Sequence, residues 1–308
     1  MMRQITRLLA SLSVVAFVSG CGGGHSDPDI VQLAQSNPDL SILVEAVDAA
    51  GLAPTLKQAG PYTVLAPTNA AFAALLTELG VTKAQLLADK ALLTTVLTYH
   101  VLPAAVKRAD IPLGKAVTTV QGGFFKVEAA GTALKVTDGR NRTANIIAAD
   151  IQATNGVVHV IDKVILPANK NIVQTAQSLP DFSILVEAVV AADLQGTLSG
   201  KGPFTVFAPT NAAFAALLTE LGVTKEALLA NKALLTKVLT YHVVSGQVLK
   251  SGVPVGAPIT SVQGETFTIN SALAITDQNG RNANIVATDV FTSNGVIHVI
   301  DKVILPKQ

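Results

Sequence analysis

Apolar residues fall along this chain in two distinct rhythms, and the change from one to the other occurs twice. Leu40, Leu43, Val44 and Val47 stand at i, i+3, i+4 and i+7, which predicts a helix with one apolar stripe that Gly51 helps to end. Phe72, Leu75, Leu76 and Leu79 repeat the spacing, with Thr68 or Asn69 placed to cap the exposed amides of the helix start. Leu93, Val96, Leu97 and His100 repeat it a third time. Tyr62–Leu65, ahead of Pro67, reads as a short strand. After Pro112 the rhythm shortens: runs rich in Val, Thr, Ile and Phe are broken at Gly122-Gly123, Gly131, Asp138-Gly139 and Asn155-Gly156, as hairpin-linked strands are. Asn155-Gly156 and Asn294-Gly295 are expected to take positive backbone dihedrals in tight turns. The class this predicts is α+β, with helices first and mostly antiparallel strands after them.

The same passage then recurs. APTNAAFAALLTELGVTK occupies Ala66–Lys83 and, unchanged, Ala208–Lys225, an offset of 142 residues. SILVEAV and VLTYHV keep that offset, whereas NGVVHVIDKVILP at Asn155–Pro167 meets NGVIHVIDKVILP at Asn294–Pro306 at 139. Three residues are thus missing from the second copy, between Gln263 and Leu273, which points to a surface hairpin. A repeat this long is a domain with its own core, not a stacking unit. Two domains are expected, at 26–168 and 169–308, and the few residues around Pro167-Ala168-Asn169-Lys170 leave them touching or held at a restricted angle.

The first twenty residues do not fit either rhythm. Arg3 and Arg7 precede an apolar run from Leu8 to Val18 that is shorter than the roughly 20 residues a membrane span needs, so residues 1–20 read as an export signal. Val18-Ser19-Gly20-Cys21 resembles the lipobox of bacterial lipoproteins, which implies cleavage before Cys21 and acylation of its thiol, with 21–25 as a tether. Cys21 is the single cysteine of 308 residues, so no disulfide can form within one molecule. Gly22 at the following position, by analogy with enterobacterial lipoproteins, favours the outer membrane. The expected location is the cell envelope, facing the periplasm or the cell surface, with the membrane engaged through Cys21.

Removing the signal takes two arginines and no acid from 22 basic and 21 acidic residues, leaving 20 against 21, a net −1. That balance gives no electrostatic footprint for nucleic acid. Gly-x-Ser-x-Gly, P-loop and His-Glu-x-x-His patterns do not occur, and five histidines with one acylated cysteine supply soft metals poorly. No cofactor, metal or catalytic residue is expected. Asn141-Arg142-Thr143 fits a glycosylation sequon that is uninformative in a bacterial chain.

TVLAPTNAAF at Thr63–Phe72 and TVFAPTNAAF at Thr205–Phe214 resemble the first signature of the fasciclin domain family. The NGVVHVIDKVILP string and its copy resemble the second, and Tyr99-His100 and Tyr241-His242 match the Tyr-His pair between them. The resemblance implies two tandem fasciclin-like domains, each a two-sheet β wedge with a cap of helices, and a role in cell-surface or matrix adhesion. His100, His159, His242 and His298 lie in apolar surroundings where a buried, hydrogen-bonded histidine is the ordinary outcome. Asp162 and Asp301, each beside a lysine, are expected to serve a local ion pair or a loop hydrogen bond. Asp150-Ile151 occupies the place of an Asp-Ile pair associated with integrin binding in animal relatives; the second copy has Asp289-Val290. These four residues, with Tyr99, His100, Tyr241 and His242, are the candidate partner contacts. The function expected is non-catalytic adhesion to a surface protein, a polysaccharide or a second copy of the chain. The alternatives are carriage of a small apolar ligand, in a pocket lined by Phe124, Phe125 or Phe267, and, less favoured, an enzyme.

Overall fold

The computed structural model describes residues 27–307. Helices α1 (Ile30–Ser36), α2 (Ser41–Ala50) and α3 (Ala53–Leu56) lead into strand β1 (Tyr62–Pro67). Helices α4 (Asn69–Leu79), α5 (Lys83–Ala88) and α6 (Lys90–Tyr99) follow, and then strands β2 (Val101–Leu102), β3 (Ala116–Thr118), β4 (Phe124–Ala130), β5 (Ala133–Thr137), β6 (Thr143–Ala153) and β7 (Gly156–Ile161). The second unit repeats the order: α7 (Ile172–Gln177), α8 (Ser183–Ala191), α9 (Gln195–Ser199), β8 (Phe204–Pro209), α10 (Asn211–Leu221), α11 (Lys225–Ala230) and α12 (Lys232–Tyr241), then β9 (Val243–Ser245), β10 (Pro258–Thr260), β11 (Thr266–Ile269), β12 (Ala274–Thr276), β13 (Asn282–Thr292) and β14 (Gly295–Ile300).

Local chemistry fixes the helix ends. Gly51 at φ 72° closes α2, a left-handed position that a side chain would strain. Thr68 caps α4 by accepting from the Ala71 amide, and Asn69 beside it accepts from the Ile42 amide and donates to the Pro38 carbonyl. Thr210 and Asn211 repeat both devices. The Thr-Asn of the first signature therefore starts one helix and ties it to the start of another.

In each domain seven strands form a continuous ladder, ordered β2-β1-β7-β6-β5-β4-β3 in the first and β10-β11-β12-β13-β14-β8-β9 in the second. The β1–β7 and β8–β14 pairs are parallel and the rest antiparallel. The long strand β6 shifts register twice, between Ile146 and Ala148 and between Ala148 and Ile151, and β13 does the same. These bulges bend the ladder, so the two sheets of each wedge are joined through one strand. One core lies between the helices and the sheet, around Phe72, Leu93 and Leu97; a second fills the wedge, around Tyr99, Phe125 and Ile161. The missing residues come out of the β11–β12 hairpin, whose strands have 4 and 3 residues against 7 and 5 in β4 and β5. Among the described residues no helix is long and apolar enough to cross a membrane. The signal, Cys21 and the tether lie outside the described residues.

One turn differs from expectation. Neither Asn155-Gly156 nor Asn294-Gly295 has positive φ. Gly156 is instead required by close approach, because a Cβ there would lie 2.1 Å from the Tyr62 carbonyl oxygen; at Gly295 the Phe204 oxygen would be 2.0 Å away. The Asn155 side chain accepts from the Ile30 amide and donates to the Leu56 and Gln58 carbonyls, binding the sheet edge to α1 and to the end of α3.

Candidate functional site

The Tyr-His pairs lie inside the domains, which corrects their reading as partner contacts. Their helix turns both side chains inward: Tyr99, His100, Tyr241 and His242 are all buried. Nδ1 of His100 donates to the Val96 carbonyl at 2.7 Å, which fixes the tautomer, and Nε2 accepts from the Ile165 amide at 3.1 Å. His242 is bound in the same way by Val238 and Ile304. Burial holds both imidazoles neutral, with pKa values lowered to about 4. The Tyr99 hydroxyl donates to the Phe124 carbonyl and accepts from the Gly139 amide, and burial pushes its pKa up. With both ring nitrogens occupied by backbone, these histidines have no lone pair left for a substrate proton.

The second histidine of each copy supports the bulge. Nε2 of His159 donates to the Val106 carbonyl at 2.9 Å, and Nδ1 accepts from the Asp150 amide at 3.2 Å. Asp150 stands at φ 60°, and its carboxylate accepts from the Arg108 amide. His298, Val248, Asp289 (φ 59°) and Lys250 reproduce the set. Asp162 and Asp301 each take the backbone amide and side-chain amide of an asparagine, Asn145 and Asn284, instead of pairing with the adjacent lysine.

The two Asp-containing bulges then diverge. Asp150 is exposed, with Ile151 half-buried beside it. Asp289 is 6% exposed, because the first domain covers it: Lys126, itself 7% exposed, donates to its carboxylate at 2.8 Å. Burial alone would lower the Lys126 pKa, but the hydrogen-bonded carboxylates of Asp289 and Glu128 outweigh it and hold the ammonium above its ordinary value. Asp289 is thus a contact between domains, and Val290 is half-buried next to it.

Around this pair the domains interlock. The rings of Phe124 and Phe291 meet edge to face at 4.9 Å, and Phe124 packs on Leu249, Phe291 and Val296. Asn141 spends its side chain on the Phe291 backbone, accepting at 2.7 Å and donating at 3.1 Å, and the Ser251 hydroxyl donates to the Gly114 carbonyl. An open groove of about 880 Å³ runs along the junction, with Phe124, Lys201, Gln247, Phe291 and Asn294 among its walls. Phe125 and Phe267 belong to the wedge cores of their domains and are not among the walls of this groove. Among the described residues no cluster of three or more His, Cys, Asp or Glu could hold a metal ion.

Phe124, Asn141 and Asp289 stood out in the sequence for other reasons and none as an interdomain contact, yet a signal for that role exists. At the aligned positions Phe124 becomes Thr266, Lys126 becomes Thr268, Asn141 becomes Gly280, and Phe291 stands where the first copy has Gln152. These four junction side chains stand at positions where two otherwise matching copies differ, whereas Asp289 matches Asp150.

Comparison with known proteins agrees with the repeat. Human periostin is 28% identical over 286 residues, covering 91% of this chain and 31% of periostin. The ig-h3 protein of Sus scrofa is 30% identical over 256 residues, covering 83% of this chain and 36% of its own length. This chain therefore spans about a third of either relative. Protein sll1483 of Synechocystis is 46% identical over 148 residues, 48% of this chain and 79% of that protein. A solved FAS1 domain pair from the insect cell adhesion molecule fasciclin I aligns over 86% of this chain and 96% of its own, at 20% identity and a TM-score of 0.44. The fasciclin domain model matches residues 38–167 and again 180–306, so the chain belongs to the fasciclin domain family.

Proposed function

We propose that this chain is a non-catalytic adhesion or matrix-interaction module of the cell envelope, held by an acylated Cys21 and binding through its two fasciclin domains as one unit. The observation that carries the reading is the docked pair: the Lys126–Asp289 contact and the Asn141–Phe291 hydrogen bonds set the spacing of two similar domains. Rigid spacing favours a repetitive target, such as a polysaccharide or a layer of like molecules, because the second contact forms at high effective concentration without further ordering cost. Family membership supports the adhesive role, and the occupied ring nitrogens of His100, His159, His242 and His298 support a role without acid–base chemistry.

The test is adhesion of beads displaying the full chain at controlled density, measured against envelope polysaccharide and against one another. Retention above that of bare beads is expected, growing more steeply than linearly with density. Retention equal to bare beads on every target, with turnover of a substrate by the same preparation, would remove the proposal.

A further inference from the structure

A second site, separate from the junction, is present in the helical half of the second domain. Helices α10, α11 and α12 and the closing residues Leu305 and Pro306 enclose an apolar cavity of about 150 Å³, walled by Phe214, Leu217, Leu228, Leu235 and Val238, with Leu221 and Leu234 at its exposed rim. The first domain has the same walls in Phe72, Leu75, Leu86, Leu93 and Val96, but there the cavity measures about 60 Å³. The first domain therefore acts as a control within the same chain.

Three substitutions between the copies distinguish the two cavities at their mouths. Arg140 lines the first cavity and donates to the Pro167 carbonyl, so a long half-buried side chain occupies its mouth. Asn279 holds that place in the second domain; its short amide is drawn onto the Leu305 and Pro306 carbonyls, leaving the mouth open. Thr95 becomes Lys237 and Ala168 becomes Lys307, and both lysines line the larger cavity. Lys237 donates to the Lys307 carbonyl and keeps two further N–H groups, and neither ammonium is paired with a carboxylate among the described residues. Glu265 is the acidic group at this edge, and its carboxylate is taken up by the Lys307 amide and the Gln263 side chain.

We propose that this cavity binds a single-chain anionic amphiphile, an alkyl carboxylate, with its hydrocarbon among the leucines and its head group on Lys237 and Lys307. An apolar cavity with an open mouth selects hydrocarbon, and two exposed ammonium groups at that mouth select an anionic head over a neutral one. The site goes beyond the adhesive role and does not depend on it.

The experiment is calorimetric titration of the full chain carrying Cys21→Ser with sodium decanoate below its micelle concentration. Saturation at one equivalent is expected. Leu234→Trp, which fills the mouth, lowers affinity by about tenfold or more, whereas Leu92→Trp at the matching position of the first domain leaves it unchanged. Lys237→Gln with Lys307→Gln, both on the exposed surface, lowers it by a similar factor, and decanol binds correspondingly more weakly than decanoate. Should Leu234→Trp fail to fold, the double lysine variant decides alone. The proposal is overturned by decanoate failing to bind, by decanol binding equally well, or by loss of binding on Leu92→Trp in place of Leu234→Trp.

Discussion

His100 and His242 set the behaviour of the fold in acid. Unfolded, a histidine takes its proton near pH 6.5; folded, these two take it only at about 4, because burial disfavours the charged ring and outweighs the Val96 and Val238 carbonyls, which favour it. The unfolded chain therefore binds more protons between those values. Their contribution is complete above pH 6.5 and lost as pH falls toward 4, by about 3 kcal/mol for each histidine. Urea unfolding at pH 7.0 and 4.5 measures this, and the drop should shrink in His100→Gln and His242→Gln; an equal drop in those variants would assign the acid sensitivity elsewhere. Cys21 carries a prediction about location. Cys21→Ser should move the protein from the membrane pellet to the soluble fraction, since a buried acyl chain contributes about 0.8 kcal/mol per CH₂. A variant that still sediments with membranes removes the lipid anchor.

At the scale of elements, the Asn-Gly turns explain more than their sequence suggests. Asn155 makes three side-chain hydrogen bonds to α1 and the α3 end, so Asn155→Ala should cost the first domain about 2–4 kcal/mol, read by chemical denaturation of the whole chain. A change below about 1 kcal/mol, the value of one exposed hydrogen bond, would show that the turn does not join the layers. The position of this turn was legible because Asn-Gly punctuates a strand pattern. Its purpose was not, since a 2.1 Å approach to the Tyr62 oxygen depends on a strand more than ninety residues earlier in the chain. The helices were readable for the opposite reason: Leu43, Val47, Phe72, Leu75, Leu93 and Val96 face the core at the 3.6-residue period, and that information is local. Histidines in apolar runs could be read as buried, whereas which carbonyl each one reaches depends on packing. Asp289 shows the limit. It aligns with exposed Asp150, and only docking of the other domain makes it a buried ion-pair partner.

For the whole molecule, the decisive question is whether the pair acts as one body. Asp289 is buried beneath Lys126, and removing the lysine alone strands a carboxylate without its cation; breaking such a pair typically costs about 3–5 kcal/mol. Lys126→Ala should therefore release the docked arrangement while leaving each core intact, since neither Phe72 nor Phe214 touches the junction. Lys126→Met together with Asp289→Asn removes both charges and should restore much of the docking, because a buried ion pair exchanged for neutral groups is often close to neutral in stability. The Phe124–Phe291 contact and the Asn141 hydrogen bonds remain in that double variant to define the geometry. Solution scattering distinguishes a compact pair from two domains turning about the 167–170 connection, and the adhesion assay is run on the same three proteins. If fixed spacing drives adhesion, Lys126→Ala should scatter as an extended chain and lose most of its multivalent retention, while the neutral double variant keeps both properties. Full adhesion by a demonstrably undocked Lys126→Ala chain would mean that each domain binds by itself, and that the junction serves stability and not recognition.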